Sequence, residues 1–238
     1  MIQPLVQTAR RILLRLGSVI DVQDLTPRMR HIRLSVPSLI SSQLPPSQHV
    51  RINIKADGLT LRTYSIRRFN SEDGTIDLYA LLHGKGPGNR WASNVRIGDQ
   101  VELLGPKSTL AIVPEAPYYL FAGEETAAVA IHSMLEALPE QATVMGYLET
   151  TQPGEEIPYT SAHALPWLYR NDAPAATSAT LIEAIRTLTL PDTPGVAYLA
   201  GEARTCQAIR AYLLKEKNWP RTAIRVKPFW TPGKTGLD

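Results

Sequence analysis

Near residue 114 the hydrophobic period of this chain changes, and that change limits the folds open to it. Before Pro114–Pro117, apolar residues alternate with polar ones in short runs broken by turn residues. After it, short apolar runs alternate with stretches whose apolar residues recur at helical spacing. A period of two marks a half-buried strand, and a period near 3.6 marks a helix with one buried face. Both patterns in separate blocks predict two domains. Residues 1–113 are expected to form an antiparallel β-barrel, and residues 114–238 an α/β domain built on a parallel sheet.

In the first block the expected strands are Arg15–Val22, Met29–Val36, Val50–Lys55, Thr60–Ile66, Thr75–Leu82 and Gln100–Leu104. Val50, Ile52 and Ile54 alternate with Arg51, Asn53 and Lys55. Asp57-Gly58 and Glu72-Asp73-Gly74 are turn signals between strands. A short helix is expected over Asn89–Val95. In the second block, strands are expected at Tyr118–Ala122, Thr143–Leu148, Gly195–Ala200 and Ile224–Trp230. Helices are expected at Glu125–Leu138, Leu181–Leu188 and Ala203–Lys215. Residues 162–179 carry no clear pattern.

Composition narrows the function. A formal charge of +3 over 238 residues argues against a nucleic-acid partner and mildly favours an acidic ligand. The single cysteine, Cys206, excludes an internal disulfide framework and an iron–sulfur cluster held by this chain's own thiolates. Redox chemistry here would therefore need a bound organic cofactor or a partner. No run approaches the roughly 20 apolar residues that span a bilayer. The arginines Arg10, Arg11 and Arg15 interrupt the N-terminal apolar run, so neither a signal peptide nor stable membrane insertion is expected. The cytoplasm is the default compartment.

The stretch Leu61–Trp91 carries the densest chemistry. Arg62 and Tyr64 share one face of an expected strand, with Thr63 and Ser65 on the other. A guanidinium fork matches phosphate oxygens, a tyrosine ring can lie against a flat heterocycle, and Ser65 can offer a hydroxyl to a ring edge. These residue types equally describe an ordinary exposed strand. His83-Gly84-Lys85-Gly86-Pro87-Gly88 then leads into a helix carrying Arg90 and Trp91. Glycines let backbone approach a ligand, and a helix N-terminus suits a diphosphate. The all-β context separates this loop from the dinucleotide fingerprint of βαβ units. In the second block, Ala122-Gly123-Glu124-Glu125-Thr126 and Leu199-Ala200-Gly201-Glu202-Ala203 both join a strand to a helix, where α/β sheets bind nucleotides. Together they could line a dinucleotide-sized groove, or simply complement helix dipoles.

Taken in order, these residues resemble the siderophore-interacting protein family, flavin-dependent ferric-siderophore reductases related to the ferredoxin–NADP reductase superfamily. The resemblance covers nearly the whole chain. It rests on Arg62, Tyr64, Ser65 and Arg67; on Asp77, His83, Gly84, Gly86, Pro87, Trp91 and Ala92; on Gly123-Glu124-Glu125-Thr126-Ala127, with Glu124 where the family carries Asp; on Ala200-Gly201-Glu202; and on Phe229-Trp230. The resemblance implies a non-covalent FAD between barrel and α/β domain. The implied cofactor contacts are Arg62, Thr63, Tyr64, Ser65, Asp77, His83, Gly84, Gly86, Pro87, Gly88, Trp91, Glu125, Thr126 and Trp230. It further implies electrons from NADPH or NADH, or from ferredoxin, delivered through the flavin to a ferric siderophore with release of Fe(II). A flavin exchanges electrons in pairs or singly, so no protein metal ligand is required. The cations Lys55, Arg67, Arg225, Lys227 and Lys234 are expected to guide an anionic chelate. A general flavin reductase module serving a protein partner, and a non-catalytic siderophore-binding protein, are the competing readings.

Overall fold

Six strands of the computed structural model close on themselves: β1 (Arg15–Thr26), β2 (Met29–Ser35), β3 (Gln48–Asn53), β4 (Leu61–Asn70), β5 (Thr75–Leu81) and β6 (Gln100–Ser108). The closed order is β1-β2-β5-β4-β3-β6, with antiparallel pairing throughout. The structure describes residues 14–55, 58–108, 110–171 and 173–234. The arginines Arg10 and Arg11 and the turn residue Asp57 lie outside them. Two units meet between Ser108 and Thr109, upstream of the expected boundary after residue 113. The reason is local: Val113 N donates to Tyr198 Oη at 2.7 Å and Tyr119 Oη donates to Val113 O at 2.9 Å, tying this stretch to the second unit.

Alternation fills the barrel. Ile32, Leu34, Val50, Ile52, Ile76, Leu78 and Leu103 are all fully buried in one cluster. Each such side chain contributes roughly 1.5–3 kcal/mol relative to exposure. Helix α1 (Pro87–Asn94) joins β5 to β6, and its Ala92 packs into the same core, followed by Val95. The expected helix over Asn89–Val95 is thus present but begins earlier, at a proline whose fixed φ suits the first helical turn.

Two polar residues of the barrel differ in role from the expectation. Asp77, on β5, is buried and lies between two residues of β2. Arg33 donates to it through Nε at 2.7 Å and Nη2 at 3.0 Å, and His31 Nε2 lies 2.8 Å from Oδ1. Burial pushes this carboxyl up, but the bonds from His31 and Arg33 outweigh it and hold it at about 2. The carboxylate is therefore engaged within the barrel rather than offered to a cofactor. Replacing Asp77 with Asn is expected to cost about 2 kcal/mol near neutral pH, the range for hydrogen bonds to charged groups. Because the folded value is depressed, this stabilisation is present above the ordinary aspartate range and fades as pH falls toward 2. Urea titrations of both proteins at pH 7 and pH 3 check it: the gap should narrow at the lower pH, and an equal gap at both would contradict it. Arg67, expected as a substrate-guiding cation, is only 3% exposed. A register shift between Ile66 and Arg68 against β5 breaks the alternation there, so Ile66 and Arg67 are buried in succession.

The second unit holds β7 (Tyr119–Glu124), β8 (Val144–Thr150), β9 (Trp167–Tyr169), β10 (Val196–Glu202) and β11 (Ile224–Trp230) in the parallel order β11-β10-β7-β8-β9. Helices α2 (Glu125–Leu135), α3 (Ala179–Thr187) and α4 (Ala203–Lys215) connect them. One sheet face packs Leu120, Ala122, Ala197 and Leu199 against Leu181 and Ile185 of α3 and Ile209 and Leu213 of α4. On the other, Phe121 and Tyr198 stack at 5.2 Å, and α2 lies so close that a Cβ on Gly123 would come 2.6 Å from Ala127 Cβ. Strand β9 falls in the stretch without a sequence pattern; three residues at a sheet edge are too few to show a period. Among the described residues, no helix is long and apolar enough to cross a membrane.

Candidate functional site

The two halves of Leu61–Trp91 meet in the barrel unit. In β4, Arg62 pairs with Ile52 and Tyr64 with Val50, so both side chains share the face of those core residues, as expected. Tyr64 Oη donates to Gly88 O at 3.3 Å, and its ring lies 5.2 Å from that of Trp91 at 45°. Burial raises the Tyr64 hydroxyl well above its ordinary value, so it stays a neutral donor. A Cβ on Gly88 would sit 3.3 Å from Arg62 Cγ and 3.6 Å from Tyr64 Oη; a side chain there would press on both. Thr63 is exposed, and Ser65 is half-buried on the opposite face.

The loop 83–88 is open on its outer side and fastened from behind. A Cβ on Gly84 or Gly86 would meet nothing within 4 Å. Asn89 Nδ2 donates to Gly84 O at 3.0 Å, and Arg90 Nη1 to Lys85 O at 2.7 Å. Helix α1 begins at Gly86 without any capping side chain. Helices α2, α3 and α4 start instead with Glu124, Ser178 and Glu202, each accepting a bond from a first-turn amide. Free first-turn amides attract anions, and of these four helices α1 is the one without a side-chain cap. An accessible glycine loop, a guanidinium and uncapped amides fit a diphosphate.

The strand ends of the second unit bring together residues that the sequence only suggested. Glu124 is 2% exposed. Its Oε2 accepts from Thr126 N at 2.7 Å, its Oε1 from Trp230 Nε1 at 3.0 Å and from the Thr126 hydroxyl. Burial, then the neighbouring Glu125, pushes its carboxyl up to about 7. Gly201 has φ +112, and a Cβ there would come 2.5 Å from Glu124 Oε1. Glu202 caps α4 through Thr205 N at 2.9 Å and also accepts from Thr177 N at 3.1 Å. Both strand–Gly–Glu–helix segments thus close their own helix starts rather than leave them open.

Sequence reasoning missed the ion pair beside them. Arg170 Nη1 donates to Glu125 Oε2 at 2.6 Å and Nη2 to Glu125 Oε1, and Arg170 lies 3.6 Å from Glu149. All three residues are buried. Glu149 is raised by burial, while Ser178 and Arg170 pull it back. Three arginines of this unit, Arg170, Arg186 and Arg204, are candidates for a nucleotide 2′-phosphate, and Arg170 is committed to these carboxylates. A second, Arg186, bonds Glu216 at the far ends of α3 and α4. Helices between parallel strands run opposite to them, so these ends lie away from the strand carboxyl ends. Arg204, exposed in the first turn of α4, is the remaining one. Of the expected guiding cations, Lys55, Arg225 and Lys234 are exposed and Lys227 is half-buried on β11. Cys206 is buried on α4, its thiol pushed up to about 12 by burial and by the carboxylates of Glu124 and Glu202. It is an inert core side chain.

A closed antiparallel barrel followed by a parallel α/β unit is the ferredoxin reductase-like fold. Comparison with known proteins places the chain within it. Residues 53–110 match the siderophore-interacting FAD-binding domain, and residues 116–233 match the siderophore-interacting protein model. The chain belongs to the siderophore-interacting protein family. It is 28% identical over 211 residues to the ferric vibriobactin reductase ViuB of Vibrio cholerae, covering 86% of this chain and 77% of that protein. The crystal structure of a siderophore utilization protein from T. fusca superposes with a TM-score of 0.83 at 29% identity, covering 94% of this chain and 95% of that one. The ferredoxin–NADP+ reductase of Plasmodium falciparum shares the fold alone, with a TM-score of 0.72 at 14% identity over 91% and 96% of the two chains.

Proposed function

We propose that this protein is a flavin-dependent ferric-siderophore reductase, taking electrons from NADH or NADPH, or from a ferredoxin, and passing them through FAD to an Fe(III) chelate. The observation that carries the proposal is the cradle around Arg62, Tyr64 and Gly88, in a chain of the same family as a protein named for ferric vibriobactin reduction. Arg62 and the amides at the start of α1 hold the diphosphate. Tyr64, fixed by Gly88 and Trp91, sets the ring end together with Ser65 and Thr63. His83 and Gly84 border the path between. The bound flavin supplies two-electron acceptance and one-electron delivery. The protein's part is to bind, orient and admit an anionic chelate, a task suited to the exposed Lys55, Arg225 and Lys234. Helix starts capped by Glu124 and Glu202 offer a nicotinamide dinucleotide little phosphate binding. Arg204 is the position where a preference for NADPH over NADH would be felt.

The purified protein should be yellow. Under anaerobic conditions its flavin absorbance should bleach with NADH, NADPH or reduced ferredoxin, and return on adding a ferric siderophore with formation of Fe(II). A protein that bleaches but does not recover with any ferric chelate would be a reductase for another acceptor. One that binds no flavin would sink the proposal.

A further inference from the structure

An open α/β sheet takes its ligand at the carboxyl ends of the two strands between which the strand order reverses. In the order β11-β10-β7-β8-β9 those strands are β7 and β10, and they end on Glu124 and Glu202. The chain's own last strand reaches into this place. Strand β11 pairs with β10 residue by residue from Ile224 to Pro228, and then one extra residue, Phe229, brings Trp230 opposite Glu202. The Trp230 side chain crosses β10 toward β7, a span of about 10 Å for two strand spacings. It donates through Nε1 to Glu124 Oε1 at 3.0 Å. Gly201 makes the passage, since a Cβ there would come 2.5 Å from that same Oε1. The next residue, Thr231, donates its hydroxyl to Glu202 Oε1 at 3.3 Å.

The two carboxylates divide their oxygens alike. Oε2 caps a helix, accepting from Thr126 N in Glu124 and from Thr205 N and Thr177 N in Glu202. Oε1 takes the donor from the tail, joined in Glu124 by the Thr126 hydroxyl. The tail can therefore leave without undoing either helix start. Trp230 and Thr231 are half-buried, and Pro232, Gly233 and Lys234 beyond them are exposed. Once the tail leaves, the crevice presents two carboxyl oxygens. These repel phosphates and suit ligand hydroxyls and amide N–H groups, as an acidic residue suits the ribose in dinucleotide sites. An indole N–H and a threonine hydroxyl are donors of the same kinds.

We infer that Trp230 and Thr231 form an autoinhibitory strap. They fill the crevice between β7 and β10 with the donors that a nicotinamide riboside carries in its hydroxyls and carboxamide, and a nicotinamide dinucleotide enters only as the strap leaves. The inference rests on the reductase reading above, on the side of its electron donor.

The test measures binding by the full chain of NAD+ and NADP+, which as oxidised dinucleotides deliver no electrons. Trp230→Phe removes the indole donor and keeps a ring; Thr231→Val removes the hydroxyl at similar size. A closed strap lowers apparent affinity by the fraction of open molecules, and one ordinary hydrogen bond corresponds to about fivefold. Each variant should therefore bind the dinucleotide roughly three- to tenfold more tightly, and the double variant more tightly still. In the parent, binding should also shift tryptophan emission to the red as Trp230 enters water, and Trp230→Phe should lack that shift. Circular dichroism checks the fold of each variant. Unchanged or weakened affinity in both variants would overturn the strap. So would dinucleotide binding that leaves the parent's tryptophan emission in place, or no dinucleotide binding by parent and double variant alike. A parent without bound flavin would defeat the flavin reading alone, because the dinucleotide titration is read apart from it.

Discussion

Replacing Arg170 with Ala should destabilise the α/β unit by about 3–5 kcal/mol at pH 8, the cost of stranding a buried charge by deleting its partner. The guanidinium holds Glu125 through two bonds and lies within ion-pair distance of Glu149, and neither carboxylate is more than 2% exposed. Their charge cannot be recovered by solvent. The sign with pH follows. Without Arg170, ionised Glu125 and Glu149 are penalised in the folded state only, so their folded values rise and stability falls as pH rises above the ordinary glutamate range. The loss should therefore be smaller at pH 5 than at pH 8. Arg170→Ala combined with Glu125→Gln should recover part of it, since one stranded charge is gone. Arg186→Ala is the control. Its pair with Glu216 is 46% and 53% exposed, and surface pairs contribute about 0–1 kcal/mol. Urea unfolding of the full chain at both pH values decides the matter; a loss at pH 8 no larger than that of Arg186→Ala would refute the argument.

That pair also shows where the sequence ceased to be legible. Glu125 and Arg170 are 45 positions apart, and no local pattern announces that they meet. The same holds for Asp77 and its β2 partners, 46 and 44 positions away. Features set by local period were readable. Val50, Ile52 and their alternation placed β3, and the apolar spacing from Ala203 to Lys215 placed α4 at its observed ends. The grouping of Arg62, Tyr64 and Gly88 was readable in part, because Arg62 and Tyr64 follow strand alternation and Gly88 lies at the start of a short helix. What hid the caps is residue type. Helix starts favour Ser, Thr, Asp and Asn, so the glutamates at 124 and 202 looked like groove residues. Arg67 was hidden by a bulge, since one irregular step reverses which side chains face inward. The cavity lined by Lys55, Thr60, Arg90 and Trp91 needed the β3–β4 hairpin and α1 to be placed together, and neither contains a motif that names the other.

Glu124→Gln should make the protein less stable than the parent at pH 4 and more stable at pH 8, with the two curves crossing between. Burial and Glu125 push the Glu124 carboxyl up to about 7 from an ordinary value of 4.5. A folded value above the unfolded one means that the folded state holds the proton more firmly, so stability declines as pH rises through that window and levels off above it. The penalty at high pH is on the order of 3 kcal/mol. Glutamine stays neutral at every pH and escapes it. It has a single oxygen, however, where the carboxylate accepts from Thr126 N at one oxygen and from Trp230 Nε1 at the other. One of those bonds is lost, at about 1 kcal/mol. The net expectation is a loss of about 1 kcal/mol at pH 4, near balance at about pH 5, and a gain of about 2 kcal/mol at pH 8. Glu149, also raised, titrates in both proteins and drops out of the difference. The lowered carboxylates Asp77 and Glu202 change charge below this window. Stability measured from pH 4 to 8.5, with tryptophan emission to follow the Trp230 bond, provides the reading. Parallel curves would mean that Glu124 titrates alike in the folded and unfolded states, and would return it to the role of a simple helix cap.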